Sequence, residues 1–139
     1  MFDSALKWMS VIIEAKNNKD RSNEAIVVCK GAPEVIEKHL HLKPPAYEAH
    51  YREFVKSGYW VLALAYKIIK DRPAGEASIK SLKWDECEKD LEFAGFLIFE
   101  CPIKKSSWKI VKELKGSDHL VKMITGDNIL TAAHVAKEV

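Results

Sequence analysis

The chain has 139 residues, 47% of them hydrophobic and 30% charged, with 22 basic against 20 acidic residues and a net charge of +2. That balance suits one globular domain, or one domain with part of a neighbour, and excludes a disordered or fibrous chain. The charges are scattered without a basic block, so neither nucleic acid nor lipid headgroups are implied as partners.

In chain order, an opening strand is expected through Met9-Ser10-Val11-Ile12-Ile13, followed by polar turn chemistry at Asn17-Asn18-Lys19-Asp20. Ala25-Ile26-Val27-Val28-Cys29 is a second β-rich run, which predicts a hairpin across that loop. Lys30-Gly31-Ala32-Pro33 breaks the strand, and Pro33 suits the first turn of a helix through about Leu40. After Pro44-Pro45, the residues Tyr47, Tyr51, Phe54 and Val55 form one apolar helical stripe, with Gly58 where a C-terminal cap is expected. Trp60–Tyr66 is apolar on both faces and predicts a central strand. A loop is expected over Asp71–Ser81, a short helix near Trp84–Leu91, and a fourth strand at Phe93–Phe99.

Beyond Pro102 the pattern changes from hairpins to an α/β order. Ser106 or Ser107 can cap a helix in which Trp108, Val111 and Leu114 share a face and which Gly116 closes. A strand is expected at Leu120-Val121-Lys122-Met123-Ile124, then a Thr125-Gly126-Asp127-Asn128 turn and a helix from Ile129 to Val139. The boundary between the two styles is best placed near Glu100–Pro102. Neither long apolar run, Trp60–Tyr66 or Phe93–Phe99, approaches the roughly 18 residues of a membrane-spanning helix. Neither end reads as a targeting signal, so a soluble, cytosolic piece is expected. Cys29, Cys87 and Cys101 match no zinc spacing, and an odd number fits a reducing compartment better than a disulfide framework.

Two short stretches carry candidate chemistry. At Thr125-Gly126-Asp127-Asn128 a strand would end and a helix begin, so backbone amides and the Thr125 hydroxyl can meet an anion. The plainer alternative is an ordinary strand–helix loop with Asn128 as its cap. At Lys30-Gly31-Ala32-Pro33-Glu34 a lysine sits beside a glycine that lets a ligand approach the backbone, and Lys30 can act as a point charge for phosphate. The alternative is a solvated lysine at a turn. Phe2 can stack on a base or belong to a core. His39, His41, His50, His119 and His134 have no metal-ligand spacing and read as surface or packing residues.

Taken in order, these pieces resemble the P-type ATPases. Phe2 with Lys7-Trp8-Met9-Ser10-Val11 is similar to the adenine-stacking phenylalanine and lysine–methionine–serine segment of the nucleotide-binding domain. Lys30-Gly31-Ala32-Pro33-Glu34 matches the pocket motif, and Gly58 with Val61-Leu62-Ala63-Leu64-Ala65 the strand after it. Met123-Ile124-Thr125-Gly126-Asp127-Asn128 resembles the phosphorylation-domain segment corresponding to motif two of haloacid-dehalogenase folds. Within the family, Cys101-Pro102-Ile103-Lys104 stands where an aspartate–proline pair is usual. Together with Ser117-Asp118-His119 and Leu130–Val139, it is similar to the type-five ATPases of the endoplasmic reticulum. Those are described as dislocases of transmembrane helices and often labelled cation transporters.

The resemblance implies an α/β fold in two parts. Residues 1–100 would be the later part of a nucleotide-binding domain, an antiparallel sheet with packed helices. Residues 101–139 would be a fragment of a haloacid-dehalogenase-like phosphorylation domain. It implies ATP as ligand, with Phe2 on adenine and Lys7, Met9, Lys30 and Gly31 lining the pocket. Trp60 stands where the family has an arginine for the phosphates, and offers one donor and no charge. Thr125 and Gly126 would meet the transferred phosphoryl group, and Asp127 would lie by the nucleotide. The aspartyl-phosphate motif and the magnesium-binding motif of the family do not occur, so Mg²⁺ ligands are expected outside this sequence and no catalysis within it. The remaining partners implied are the rest of the parent with its membrane domain, and transmembrane helices as clients. A haloacid-dehalogenase phosphatase would need an Asp-x-Asp motif that is not present. A non-catalytic interaction domain is the other alternative.

Overall fold

A computed structural model describes residues 2–3, 7–16, 23–72 and 80–139, with the backbone alone at Phe2, Asp3, Lys16, Asn23, Asp71 and Arg72. The expected turn at Asn17–Asp20 and most of the loop expected over 71–81 lie outside the described residues. The fold is α/β. Its sheet runs β1 (Phe2–Asp3), β2 (Trp8–Lys16), β3 (Asn23–Gly31), β4 (Trp60–Arg72) and β5 (Glu92–Phe99), with the spatial order equal to the chain order. The pairs β1–β2, β2–β3 and β3–β4 are antiparallel. β4 continues to Arg72, past the expected start of a loop at Asp71, because its ladder with β3 extends to the pair Asn23–Arg72.

The chain forms two compact units, residues 1–47 with 62–97 and residues 48–61 with 98–139. In the first, alternation along the strands separates two faces. Ser10, Ala25, Val27, Cys29, Ala63 and Ala65 are buried on one, and Val11, Ile13, Val28 and Ile68 are about half exposed on the other. Burial on that first face pushes the Cys29 thiol up from 9.0 to about 12, with smaller contributions from Glu88 and Cys87.

Short helices cover the buried face. α1 (Pro33–Ile36) starts on Pro33 after an extended Ala32 and tightens into a 3-10 turn at Glu37–His39, with Leu40 extended again. The helix predicted to about Leu40 is therefore realised as these two pieces. Tyr47 is buried, donates its hydroxyl to the Pro33 carbonyl at 2.9 Å, and packs its ring on Phe93 and Phe96, with centroids at 5.1 and 4.9 Å. α3 (Trp84–Cys87) is shorter than the helix expected to Leu91. Asp90 turns left-handed at φ 55° and Leu91 leaves to bridge Leu40.

In the second unit, α2 (Tyr47–Lys56, of which 48–56 belong here) buries Tyr51 and Val55 at the expected helical spacing. Its end is a Schellman cap: Gly58 N–H donates to Val55 O at 3.0 Å and Tyr59 N–H to Phe54 O at 3.1 Å, with Gly58 at φ 86°. α4 (Ser107–Gly116) follows Ser106, which holds the cap position without a side-chain capping bond, so the expected serine cap is not made. Its expected apolar face is largely open, with Trp108 and Leu114 exposed and Lys112 Nζ lying 4.8 Å over the Trp108 ring. α5 (Ile129–Glu138) begins as predicted.

The strand expected at Leu120–Ile124 does not form. A strand is stable only beside a hydrogen-bonded neighbour, and among the described residues none pairs with this run. Leu120 is 81% and Ile124 95% exposed.

Candidate nucleotide site

The ladder brings several of the expected pocket residues together. Phe2 pairs with Met9, Met9 with Lys30, and Lys30 with Leu64, so four successive strands contribute one row. Cross-strand partners share a face. Met9, Lys30 and Leu64 therefore line the open face of the sheet, with Lys30 exposed and Met9 and Leu64 half-buried. For Phe2 only the backbone register is described; the stacking role expected of its ring falls on a side chain outside the described residues.

Gly31 holds the next row, and Lys7 immediately precedes the strand that pairs with it. Trp8 pairs with Gly31, and Gly31 with Ala63. A Cβ on Gly31 would lie 2.5 Å from Trp8 Cβ and 2.8 Å from the Lys7 carbonyl oxygen, so only glycine lets the strands close here. Lys7 takes a left-handed backbone at φ 56° and its carbonyl accepts the Ala32 N–H at 3.0 Å. The motif Lys30-Gly31-Ala32-Pro33 is thus bonded directly to the segment that starts at Lys7. Lys7 itself is exposed.

Trp60 and Thr125-Gly126-Asp127 belong to the second unit. Trp60 opens β4 and is 50% exposed, so it is not a core residue. Thr125, Gly126 and Asp127 form an exposed turn, with open space where a Gly126 Cβ would be. One of its amides is already used, since Asp127 N–H donates to Thr125 Oγ1 at 3.1 Å, and at the start of α5 Leu130 N–H donates to Asn128 Oδ1 at 2.9 Å. Asn128 is a true helix cap, as the plainer alternative had it.

The sequence reading missed a polar group beneath the row. On the buried face, the Ser10 hydroxyl donates to Glu88 Oε1, and the Trp8 and His39 rings stack with centroids 4.3 Å apart. Ser10 alternating onto an otherwise apolar face was the one available signal; Glu88 lies 78 positions away, and no local pattern links the two.

No protein-family model matches the chain. It is 42% identical to the "Endoplasmic reticulum transmembrane helix translocase spfA" of Aspergillus fumigatus and 43% identical to the "Endoplasmic reticulum transmembrane helix translocase" of Saccharomyces cerevisiae. It is 44% identical to the Arabidopsis thaliana protein named "Probable manganese-transporting ATPase PDR2". Each similarity covers 99% of this chain, and the chain spans 11% of each relative's length. The chain therefore belongs to the P-type ATPase family, as a segment of its type-five, endoplasmic-reticulum subfamily.

Proposed function

We propose that this segment binds ATP on the open face of its sheet and serves the ATPase cycle of a longer parent protein. The observation that carries the reading is the row Phe2–Met9–Lys30–Leu64, which joins the motifs of Met9 and Lys30, 21 positions apart in sequence, into one surface. In it, Met9 would pack against the base and Lys30 would meet the nucleotide as a point charge, while the family resemblance assigns the adenine-stacking role to Phe2. Lys7 and Gly31 form the margin. Residues 1–100 are the later part of the nucleotide-binding domain and 101–139 the start of a phosphorylation domain. In the parent, Thr125 and Gly126 would serve the transferred phosphoryl group and Asp127 the nucleotide. Mg²⁺ in such a cycle would be held by one or two carboxylates together with the nucleotide phosphates. Its ligands are assigned to the rest of the parent, and the segment alone is inactive.

The expected affinity of the segment lies between about 0.1 and 1 mM, or roughly −4 to −5.5 kcal/mol. Titration with ATP should shift the resonances of Met9 and Lys30; a spectrum unchanged at several millimolar ATP sinks the proposal. Trp60 sharpens the test. Because it is half-exposed, Trp60→Arg adds a charge without burying it, and ATP affinity should rise about three- to tenfold while adenosine affinity stays level. Equal gains for both ligands would remove Trp60 from the phosphate end of the pocket.

The parent is proposed to act at the cytosolic face of the endoplasmic reticulum, on transmembrane helices rather than on an ion. Among the described residues, no helix is long and apolar enough to cross a membrane. A client can shift an ATPase cycle only by binding one state more tightly than another. Reconstituted parent enzyme should therefore turn over faster with hydrophobic helix peptides and respond to no single cation at fixed Mg²⁺. Saturable stimulation by Mn²⁺ without any peptide effect would favour ion transport.

A further inference from the structure

The Met9–Lys30–Leu64 row is supported from the opposite face of the sheet. Met9 stands between Trp8 and Ser10, and alternation turns both of these away from the open face. The Trp8 ring stacks on His39 at an interplanar angle of 25°. His39 Nδ1 lies 2.8 Å from the Glu88 carbonyl oxygen, a distance that requires this nitrogen to carry the proton and donate. The Ser10 hydroxyl donates to the Glu88 carboxylate, at Oε1. One residue thus reaches both neighbours of Met9, through its side chain to Ser10 and through its main chain to His39 and the Trp8 ring.

Glu88 is itself firmly held. Its N–H donates to Trp84 O at 2.9 Å, closing α3. Leu91 N–H donates to His39 O and His41 N–H to Leu91 O, both at 2.9 Å, so the segment is bonded on two sides. Lys67 Nζ, on the far face of β4, donates to Glu86 O at 3.1 Å and Lys89 O at 2.9 Å. Ser10 is 5% exposed, so removal of its acceptor would leave a buried hydroxyl unsatisfied.

We infer that Glu88 is a positioning residue for the nucleotide row, setting the height and register of Met9 from beneath the sheet. The inference rests on the ATP-binding reading above. The test is an ATP titration of the 139-residue chain with ¹³C-methyl methionine, in which Met9 reports on the row and Met123, in the second unit, is the internal control. Glu88→Ala and Ser10→Ala should each weaken ATP about fivefold, the size of one lost hydrogen bond. Each should also move the Met9 signal in the nucleotide-free chain and leave Met123 in place. Glu88→Gln keeps an acceptor oxygen and should retain full affinity. The double variant S10A/E88A should be no weaker than either single one, since all three lose the same bond.

A bond that merely stabilises the fold would lower the unfolding midpoint without changing the dissociation constant or the Met9 signal. That result, or losses that add in the double variant, overturns the inference. If Glu88→Ala unfolds the chain, both methionines collapse together, and Ser10→Ala with Glu88→Gln decides the matter. An unsubstituted 139-residue chain whose Met9 ignores ATP defeats the binding reading and this one with it. Binding that survives Glu88→Ala at full strength defeats this one alone.

Discussion

Two five-residue runs of this chain, each apolar enough to predict a strand, meet opposite fates. Ala25-Ile26-Val27-Val28-Cys29 lies inside β3, paired with β2 on one side and β4 on the other, with Val27 and Cys29 fully buried. Leu120-Val121-Lys122-Met123-Ile124 is also mostly apolar, with two β-branched residues against three, yet it forms no strand and leaves Ile124 95% exposed. The difference lies in the neighbours. β-propensity describes how well a side chain suits a pleated, half-buried surface, and it yields no strand until another backbone supplies the ladder. For β3 the neighbours are β2, which precedes it in the chain, and β4, which returns after the helices of residues 33–56. For 120–124 no described strand does this.

The sharpest way to break the comparison is to place the same polar residue in both runs. Val27→Ser should cost about 3 kcal/mol in urea unfolding, from lost apolar burial and a hydroxyl set among Val, Ala and Cys side chains. Ile124→Ser should stay within about 0.5 kcal/mol of the unsubstituted chain, as an exposed position does. If Ile124→Ser destabilises as much as Val27→Ser, the run at 120–124 is packed in solution, and the contrast fails.

Next in size are the two glycines that shape each unit. Gly31→Ala would press a methyl onto the Trp8 backbone and the Lys7 carbonyl, where no flexible side-chain end can yield, and should cost about 1–3 kcal/mol. Gly58→Ala would force a residue with a Cβ into φ 86° and into the His134 ring, at 2.3 Å from Cδ2. The backbone part alone should cost about 1 kcal/mol. His134→Ala in the Gly58→Ala background should restore the steric part and leave the backbone part. Full restoration would mean that the left-handed turn is not needed at the end of α2.

The smallest effect expected is a pH dependence confined to the first unit. The folded state holds the Cys29 thiol protonated up to about 12, against 9.0 for an ordinary cysteine. A raised acid favours folding fully below the unfolded value, and that contribution is lost as pH rises from about 9 through 12. The urea midpoint should therefore fall over this window, and Cys29→Ala should flatten the fall. Tyr66, raised by its bond to Glu92, acts in the same direction and should account for part of what remains. An unchanged slope in Cys29→Ala would mean that Cys29 is not buried in solution.

The sequence by itself determined the local elements. The β2–β3 hairpin, the start of α1 at Pro33, the α2 stripe with its Gly58 cap, β4, β5 and the start of α5 were all legible from periodicity and turn chemistry. The family, too, was legible in short motifs such as Lys30-Gly31-Ala32-Pro33-Glu34. The tertiary structure alone decided which residues meet. The pairing of Met9 with Lys30 and Leu64 depends on register, which a one-residue slip would reverse. The bond from Ser10 to Glu88 joins residues 78 positions apart. The end of α3 at Cys87 and the missing strand at 120–124 were likewise set by partners at a distance. Propensity and periodicity act over a few residues, whereas ladders and buried hydrogen bonds are formed only when the chain has already brought distant segments together.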